Sequence, residues 1–571
     1  MSRYVWTHRG RRASVPTVIL ITCSILSSAC DVHAPSDTRF EVTYAESARS
    51  EPITGRVLIM ITRNDSREPR LQAGAWESSV PFFGVDVEEW QPGEAAVFDG
   101  TTVGYPPEHL GDIPAGSYYV QAIANVYTEF HRSDGHTVWL HNDQWEGQQL
   151  NRSPGNLVSE VQSVYLDPDA GYTVQLELTE VLPPVQVPPD TEWVRRIKFQ
   201  SDLLTEFWGH PIYLGATVLL PKGYDENPDQ HYPVVYAQGH FSLGPPFGFT
   251  TDDAPRPEDP DRQAVRLRHN RGTSWEFSQQ WMSNDFPRMI GVTFQHPTPY
   301  YDDSYAVNSA NNGPYGSAIM TELIPRVEEE FRIIREGYAR VLTGGSTGGW
   351  ESLVLQVQNP EFFGGAWVLY PDPIDFTRYG LINIYEEANA YTPDLHHEWI
   401  EPERYWMRDH WNHGDFIGQP TITMRDMTRF EQVLGNKGRG AQQLGVWEAV
   451  YGPVGENGYP RPLWDIETGA IDHQVAEYMR ANGYDLVHYI RENWDAIGPD
   501  LVGKLRVYVG EMDQFYLNLA VYELEEFFET AEPHYGGDIL YGRPMMSHGW
   551  QPMPRGEMLR EMARVIAANR P

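Results

Sequence analysis

The chain has 571 residues and a formal net charge of −36. The length suggests two or three domains, and 41% hydrophobic with 13% aromatic residues excludes a disordered chain and allows a sizeable core. So acidic a surface repels nucleic acid and anionic membranes, which excludes both as binding partners.

In chain order, residues 1–30 read as an export signal. Arg3, Arg9, Arg11 and Arg12 form a basic start. The apolar stretch 15–29 is too short for a comfortable membrane span, and Ser27, Ser28 and Ala29 lead into Cys30. Leu26-Ser27-Ser28-Ala29-Cys30 resembles a bacterial lipoprotein signal, with Leu one place farther from the cysteine than is usual. That resemblance implies lipidation of Cys30 and a periplasmic or cell-surface protein anchored through lipid; ordinary cleavage at the same point would leave it secreted. Cys23 and Cys30 are the only cysteines, so the exported chain has neither a disulfide nor a cysteine nucleophile.

Residues 31–54 are polar and read as a tether. From 55 to 182 the pattern is that of a small β-sandwich-like domain, with strands predicted at 57–61, 117–123 and 172–178 and no amphipathic helix. Trp76, Trp90, Trp139 and Trp145 could form a sugar-binding face, but packing is the commoner role of such residues. Four of the seven residues 183–189 are proline, and 183–190 is read as a semi-rigid linker. Residues 191–571 then alternate strands and helices. Strands are predicted at 215–221, 232–237, 289–294, 338–343, 365–370 and 505–510, and helices at 318–331, 350–358 and 558–568. Buried strands alternating with helices imply a mostly parallel sheet.

One motif carries the chemistry. Gly344-Gly345-Ser346-Thr347-Gly348-Gly349 contains G-x-S-x-G between a predicted strand and a predicted helix, the context such a nucleophile elbow requires. Ser346 needs a sharp turn, and Gly344 and Gly348 make room for it. The Thr347 backbone N–H, at the start of the helix, can donate to a developing oxyanion. A nucleophilic serine needs a base and the base an orienting acid, in the chain order Ser, acid, His. Asp513 follows the strand at 505–510, and His548 lies in the loop before the last helix. Glu511 and Asp372 are rival acids.

The segments Tyr232-Pro233-Val234-Val235-Tyr236, the elbow, Gly510-Glu511-Met512-Asp513 and Ser547-His548-Gly549-Trp550 together resemble the esterase family that includes esterase D and the feruloyl esterases. The likeness covers about 195–375 and 500–570. It implies an α/β-hydrolase domain, a Ser346, Asp513 and His548 triad, and hydrolysis of carboxylic esters through an acyl-enzyme without metal or cofactor. The family carries His-Gly after its Tyr-Pro strand to supply a second oxyanion N–H. Here the order is Gln238-Gly239-His240-Phe241, which shifts that role to His240 or Phe241.

A second departure is an insertion of about 130 residues, 375–500, rich in Trp, Tyr and His, which is predicted to cap the pocket and select the substrate. Its His396-His397 pair and its 410–415 cluster lack a metal-ligand spacing on a known frame. The expected substrate is a small-molecule or glycan-linked ester. Acyl transfer or peptide hydrolysis on the same triad, and a non-catalytic glycan-binding surface lipoprotein, are the alternatives.

Overall fold

The computed structural model describes residues 38–74, 79–393, 402–409 and 418–571. The export signal with Cys30, Trp76, His396, His397 and the cluster at 410–415 lie outside the described residues.

The all-β reading of the N-terminal region holds among the described residues, but hydrogen bonding joins ten strands into one sheet where two stacked sheets were expected. The tether reading of 31–54 needs correction. Thr38–Tyr44 is a strand running parallel to Tyr172–Val181. Phe40, Val42 and Tyr44 alternate with polar neighbours, a period-two pattern, and are fully buried. A short run with so few apolar residues looks like polar linker until its partner strand is known.

The strand Ile53–Thr62 explains how this sheet relates to the rest. Val57, Ile59 and Ile61 face the sheet's own core. Leu58 and Met60, pointing the other way, belong to the same hydrophobic cluster as the interior of the C-terminal region. The unbroken apolar run at 57–61 therefore reflects burial on both faces. The segment 183–190 is largely exposed, but the regions it joins are packed together. Trp90 lies in the N-terminal core against Tyr44 at 4.7 Å, and Trp145 packs against Phe241 at 5.2 Å. Trp90 and Trp145 do not share a face.

After residue 190 eight strands form a second sheet: β1 (Val194–Gln200), β2 (Tyr213–Leu219), β3 (Val234–Gln238), β4 (Ile290–Gln295), β5 (Arg340–Ser346), β6 (Gly365–Pro371), β7 (Leu505–Gly510) and β8 (Asp538–Gly542). Their order is β1-β2-β4-β3-β5-β6-β7-β8. Only β2 is antiparallel to its neighbours. This is the mostly parallel α/β sheet that the strand and helix pattern predicted.

The insertion between β6 and β7 is largely built into the core. Helices Met424–Leu434, Gln443–Tyr451 and Leu486–Leu501 bury Met427, Phe430, Val446, Val450 and Ile490 in the common cluster. Leu486–Leu501 packs against the helix after β5, as a crossover helix must. Phe430 meets Phe82 and Tyr105 of the N-terminal sheet edge-on at 5.8 and 5.3 Å. Arg56 of that sheet, itself 5% exposed, donates to the Val433 carbonyl at 2.9 Å and pairs with Asp86 at 2.7 Å. The insertion thus bridges the two sheets.

Gln443–Tyr451 has no capping side chain of its own. The carboxylate of Glu431 supplies the cap from another helix, accepting from Leu444 N at 2.8 Å and Gly445 N at 2.7 Å. Burial pushes the Glu431 carboxyl up to about 8, against the pull of those two N–H groups. The folded value is raised, so this group's contribution to stability is complete below the ordinary 4.5 and is lost as pH rises through about 8. Glu431→Gln is expected to remove that dependence. Between pH 4.5 and 8 the variant should gain roughly 3 to 5 kcal/mol relative to wild type, read as the difference between denaturant midpoints at the two pH values.

Candidate active site

β5 ends on Ser346, and the helix Thr347–Gln358 begins at the next residue. Ser346 has φ +59° and ψ −125°, a backbone shape that costs a non-glycine residue energy and persists where the surroundings impose it. The cause is close packing. A Cβ on Gly344 would lie 2.2 Å from the Gly348 carbonyl oxygen, and a Cβ on Gly348 would lie 2.2 Å from that of Gln238. Both glycines are sterically required.

His548 and Asp513 come together as expected. His548 Nδ1 lies 2.8 Å from Asp513 Oδ2. Asp513 is fully buried at the end of β7, and its other oxygen accepts from Phe515 N at 2.9 Å. The His548 ring is held edge-on between Tyr370 at 4.7 Å and Phe515 at 5.1 Å. Glu511 is turned away, accepting from Met545 N at 2.7 Å and pairing with Arg543; it supports the loop that leads to His548.

Ser346 itself is not bonded to His548. Its hydroxyl donates to Asp372 Oδ1 at 3.2 Å. Asp372, read from sequence as a weaker rival acid, is the hub of this part of the site. Its Oδ2 also accepts from Tyr305 OH at 2.6 Å, Thr347 Oγ1 at 3.0 Å and Gln443 Nε2 at 2.9 Å. Tyr305 OH in turn receives Trp447 Nε1 at 2.7 Å and Gln443 Nε2. Burial raises the Asp372 carboxyl above its ordinary value, while the Tyr305 and Thr347 hydroxyls pull it back. Gln443 and Trp447 come from the insertion, so its helix floors the site.

The end of β3 lies directly against the elbow: a Cβ on Gly348 would meet Gly239 N at 2.8 Å. His240 and Phe241 follow. The Phe241 side chain packs on Trp145 of the N-terminal region. The half-exposed His240 ring has Asp302 at 3.1 Å and Asp303 at 3.4 Å from its Nδ1. Burial works against the charge on His240, but these two carboxylates overcome it and hold the imidazole well above its ordinary value. His240, Asp302 and Asp303 are also the group among the described residues that could hold a metal ion. Behind them His296 is fully buried and pushed down to about 4 by burial. Glu351, on the helix after the elbow, is pushed well up by burial.

His240, Tyr301 and Asp302 line a cavity of about 390 Å³ whose far wall is Arg70, Asn151 and Gln442, from the N-terminal sheet and the insertion. A larger cavity of about 980 Å³, lined by Arg56, Val433 and Trp464, holds none of the site residues.

Tyr305, Gln443, Asp302 and Asp303 escaped the sequence reading, and Trp447 was visible only as one of the insertion's many aromatic residues. They belong to no motif and reach the site only through the fold. Tyr305 and Ala306, both left-handed at φ +56° and +54°, carry no glycine or asparagine that would betray the turn.

With this geometry in place, the relationship of the chain to known proteins can be stated. Residues 213–373, from β2 to just beyond Asp372, match the family described as "Putative esterase". With the sheet and the elbow, this match makes the region around Ser346 that of a carboxylic ester hydrolase. No curated protein matches the chain. Among solved structures, a ferulic acid esterase is 14% identical, with a TM-score of 0.33 over 66% of this chain and 98% of its own. The S-formylglutathione hydrolase of Agrobacterium tumefaciens is 11% identical, with a TM-score of 0.31 over 66% and 99%. The fluorophosphonate-binding serine hydrolase F of Staphylococcus aureus is 12% identical, with a TM-score of 0.29 over 65% and 98%.

Four donors converge on Asp372. Asp372→Asn places an amide NH₂ among them and is expected to destabilise the chain by about 2–4 kcal/mol. Ser346→Ala removes only the longest of the four bonds and should cost no more than about 1 kcal/mol. Guanidinium unfolding of both variants measures the contrast.

Proposed function

We propose that the protein is an exported serine esterase in which Ser346 is the nucleophile, His548 the general base and Asp513 the residue that orients it. The observation that carries the reading is a strained serine at a strand-to-helix elbow, on the same rim of the sheet as a histidine bonded to a buried carboxylate. Asp513 fixes the His548 tautomer so that Nε2 is free to take a proton. Rotation of the Ser346 side chain moves its hydroxyl from Asp372 towards that nitrogen. The alkoxide attacks the ester carbonyl and expels the alcohol, which takes its proton from His548. Water, deprotonated by the same imidazole, then releases the acid. The Thr347 N–H, at the start of its helix, and an N–H of His240 or Phe241 would hold the oxyanion.

The substrate is a carboxylic ester, small or glycan-linked, entering beside His240. The predicted lipid on Cys30 would place the enzyme on the outer side of a membrane. Among the described residues no helix is long and apolar enough to cross one.

A fluorophosphonate should label the wild-type chain and not Ser346→Ala, and the wild type should turn over members of a panel of short acyl and feruloyl esters. Asp513→Asn should lower kcat by about 10⁴, the loss expected of a wrong tautomer, while Glu511→Gln should stay within a few-fold. An unlabelled wild-type serine with no ester turned over would sink the proposal. Full activity in Asp513→Asn would transfer the acid's role to Asp372. For the anchor, mass spectrometry of the mature N-terminus is expected to find a diacylglycerol-modified Cys30; a free thiol there rules the anchor out.

A further inference from the structure

The loop after β4 brings Asp302 and Asp303 against His240, and one donor atom from each of the three lies within 4.8 Å of the others. The separations from His240 Nδ1 are 3.1 and 3.4 Å. Ligands on a common ion with bonds of about 2.1 Å are spaced by about 3.0 Å at right angles and about 3.4 Å at tetrahedral angles. Each carboxylate oxygen therefore already stands at a ligand-to-ligand spacing from His240 Nδ1.

A second observation points the same way. Asp303 is 1% exposed. Its Oδ1 accepts from Tyr305 N at 3.1 Å, but its Oδ2, the oxygen turned to His240, has no hydrogen-bond partner. The neighbouring Glu351 is fully buried, and neither of its oxygens has a hydrogen-bond partner; His296 Nε2, 3.6 Å away, also has none. Asp302, Asp303, Glu351 and Asp372 thus crowd one side of the elbow, and among the described residues His240 is the side chain that offers Asp302 and Asp303 a positive partner in an ion pair. The unpartnered Oδ2 of buried Asp303 is thus a donor atom that a cation beside His240 would satisfy.

We propose that His240, Asp302 and Asp303 bind one divalent transition-metal cation, with water or a substrate oxygen completing its shell. One imidazole with two carboxylates suits Mn²⁺ or Zn²⁺ rather than Ca²⁺, which takes oxygen ligands alone. Two of the three ligands line the 390 Å³ cavity, so the remaining coordination positions are reachable from it. The site uses the side chain of His240 and leaves its backbone N–H to the ester chemistry.

Binding can be read without any turnover, so it stands or falls separately from the esterase mechanism. The untagged chain, stripped with chelator, is titrated by calorimetry with Zn²⁺ and with Mn²⁺. One equivalent of at least one of them is expected to bind and to raise Tm. Asp302→Asn, checked for folding by circular dichroism, should bind at least tenfold more weakly and lose the Tm increment. A His410→Ala, His413→Ala double variant should bind like wild type. Three results would overturn the assignment: no saturable equivalent on the wild type for either ion, equal affinity in Asp302→Asn, or loss of binding in the double variant. The last would move the ion to the insertion.

Discussion

Gly348 is pressed against the Gln238 carbonyl, and this backbone contact governs where the rest of the site can stand. Gly344 is pressed against Gly348 from the other side. Between them β3, β5 and the helix after β5 approach more closely than any side chain would allow. The chain can leave β5 only through a left-handed residue, and that residue is Ser346. The same crowding forces β3 to stop at Gln238, so His240 and Phe241 are carried away from the sheet towards the N-terminal region. One steric constraint thus exposes the hydroxyl and also brings the loop beside it into place.

What surrounds the elbow is less usual. The catalytic sheet does not face solvent on this side. It meets an insertion that is itself sandwiched against a second sheet, with Phe430 and Arg56 at the junction. Gln443 and Trp447 reach from that insertion to Tyr305 and Asp372, one bond from Ser346. The N-terminal sheet reaches the other side through Trp145 on Phe241 and through the wall of the cavity beside His240. Substrate selection would therefore lie with parts of the chain that have no place in the minimal hydrolase fold. A change in the N-terminal sheet can act on the site through packing alone.

The turn at Ser346 and the pairing of Asp513 with His548 were legible in the sequence because their signals are local. The elbow is six consecutive residues, and Asp513 and His548 each follow a strong strand or precede a strong helix. The strands of the second sheet were visible for the same reason, as apolar runs bounded by turn residues. The first sheet was only half legible. Thr38–Tyr44 has too few apolar residues to declare itself, and the run at 57–61 is apolar on both faces without saying what covers each. The insertion was opaque. Its helices are bound to the site by Gln443 and Trp447 and to each other through Glu431, and nothing in the local pattern distinguishes those residues from others of their type. Asp372 illustrates the limit: its position after β6 marked it as a carboxylate near the site, but only the fold shows that it holds the serine hydroxyl rather than a histidine.

That bond bears on how the proposed chemistry would start. In the resting arrangement Ser346 shares Asp372 with three other donors, and its bond, at 3.2 Å, is the longest of them. A hydrogen bond of this kind is worth about 1 kcal/mol net, and Asp372 keeps three partners when the serine leaves. Releasing the hydroxyl from Asp372 is therefore a small cost beside the barrier of acyl transfer. The buried carboxylate has a second effect. A negative charge fixed close to the oxygen that must become an alkoxide opposes that ionisation, so the serine is poorly activated while it faces Asp372 and better activated once it has turned. In the proposed mechanism the rotation would separate a quiet serine from a reactive one, with Gln443 and Tyr305 sharing the charge of the carboxylate that holds the quiet state.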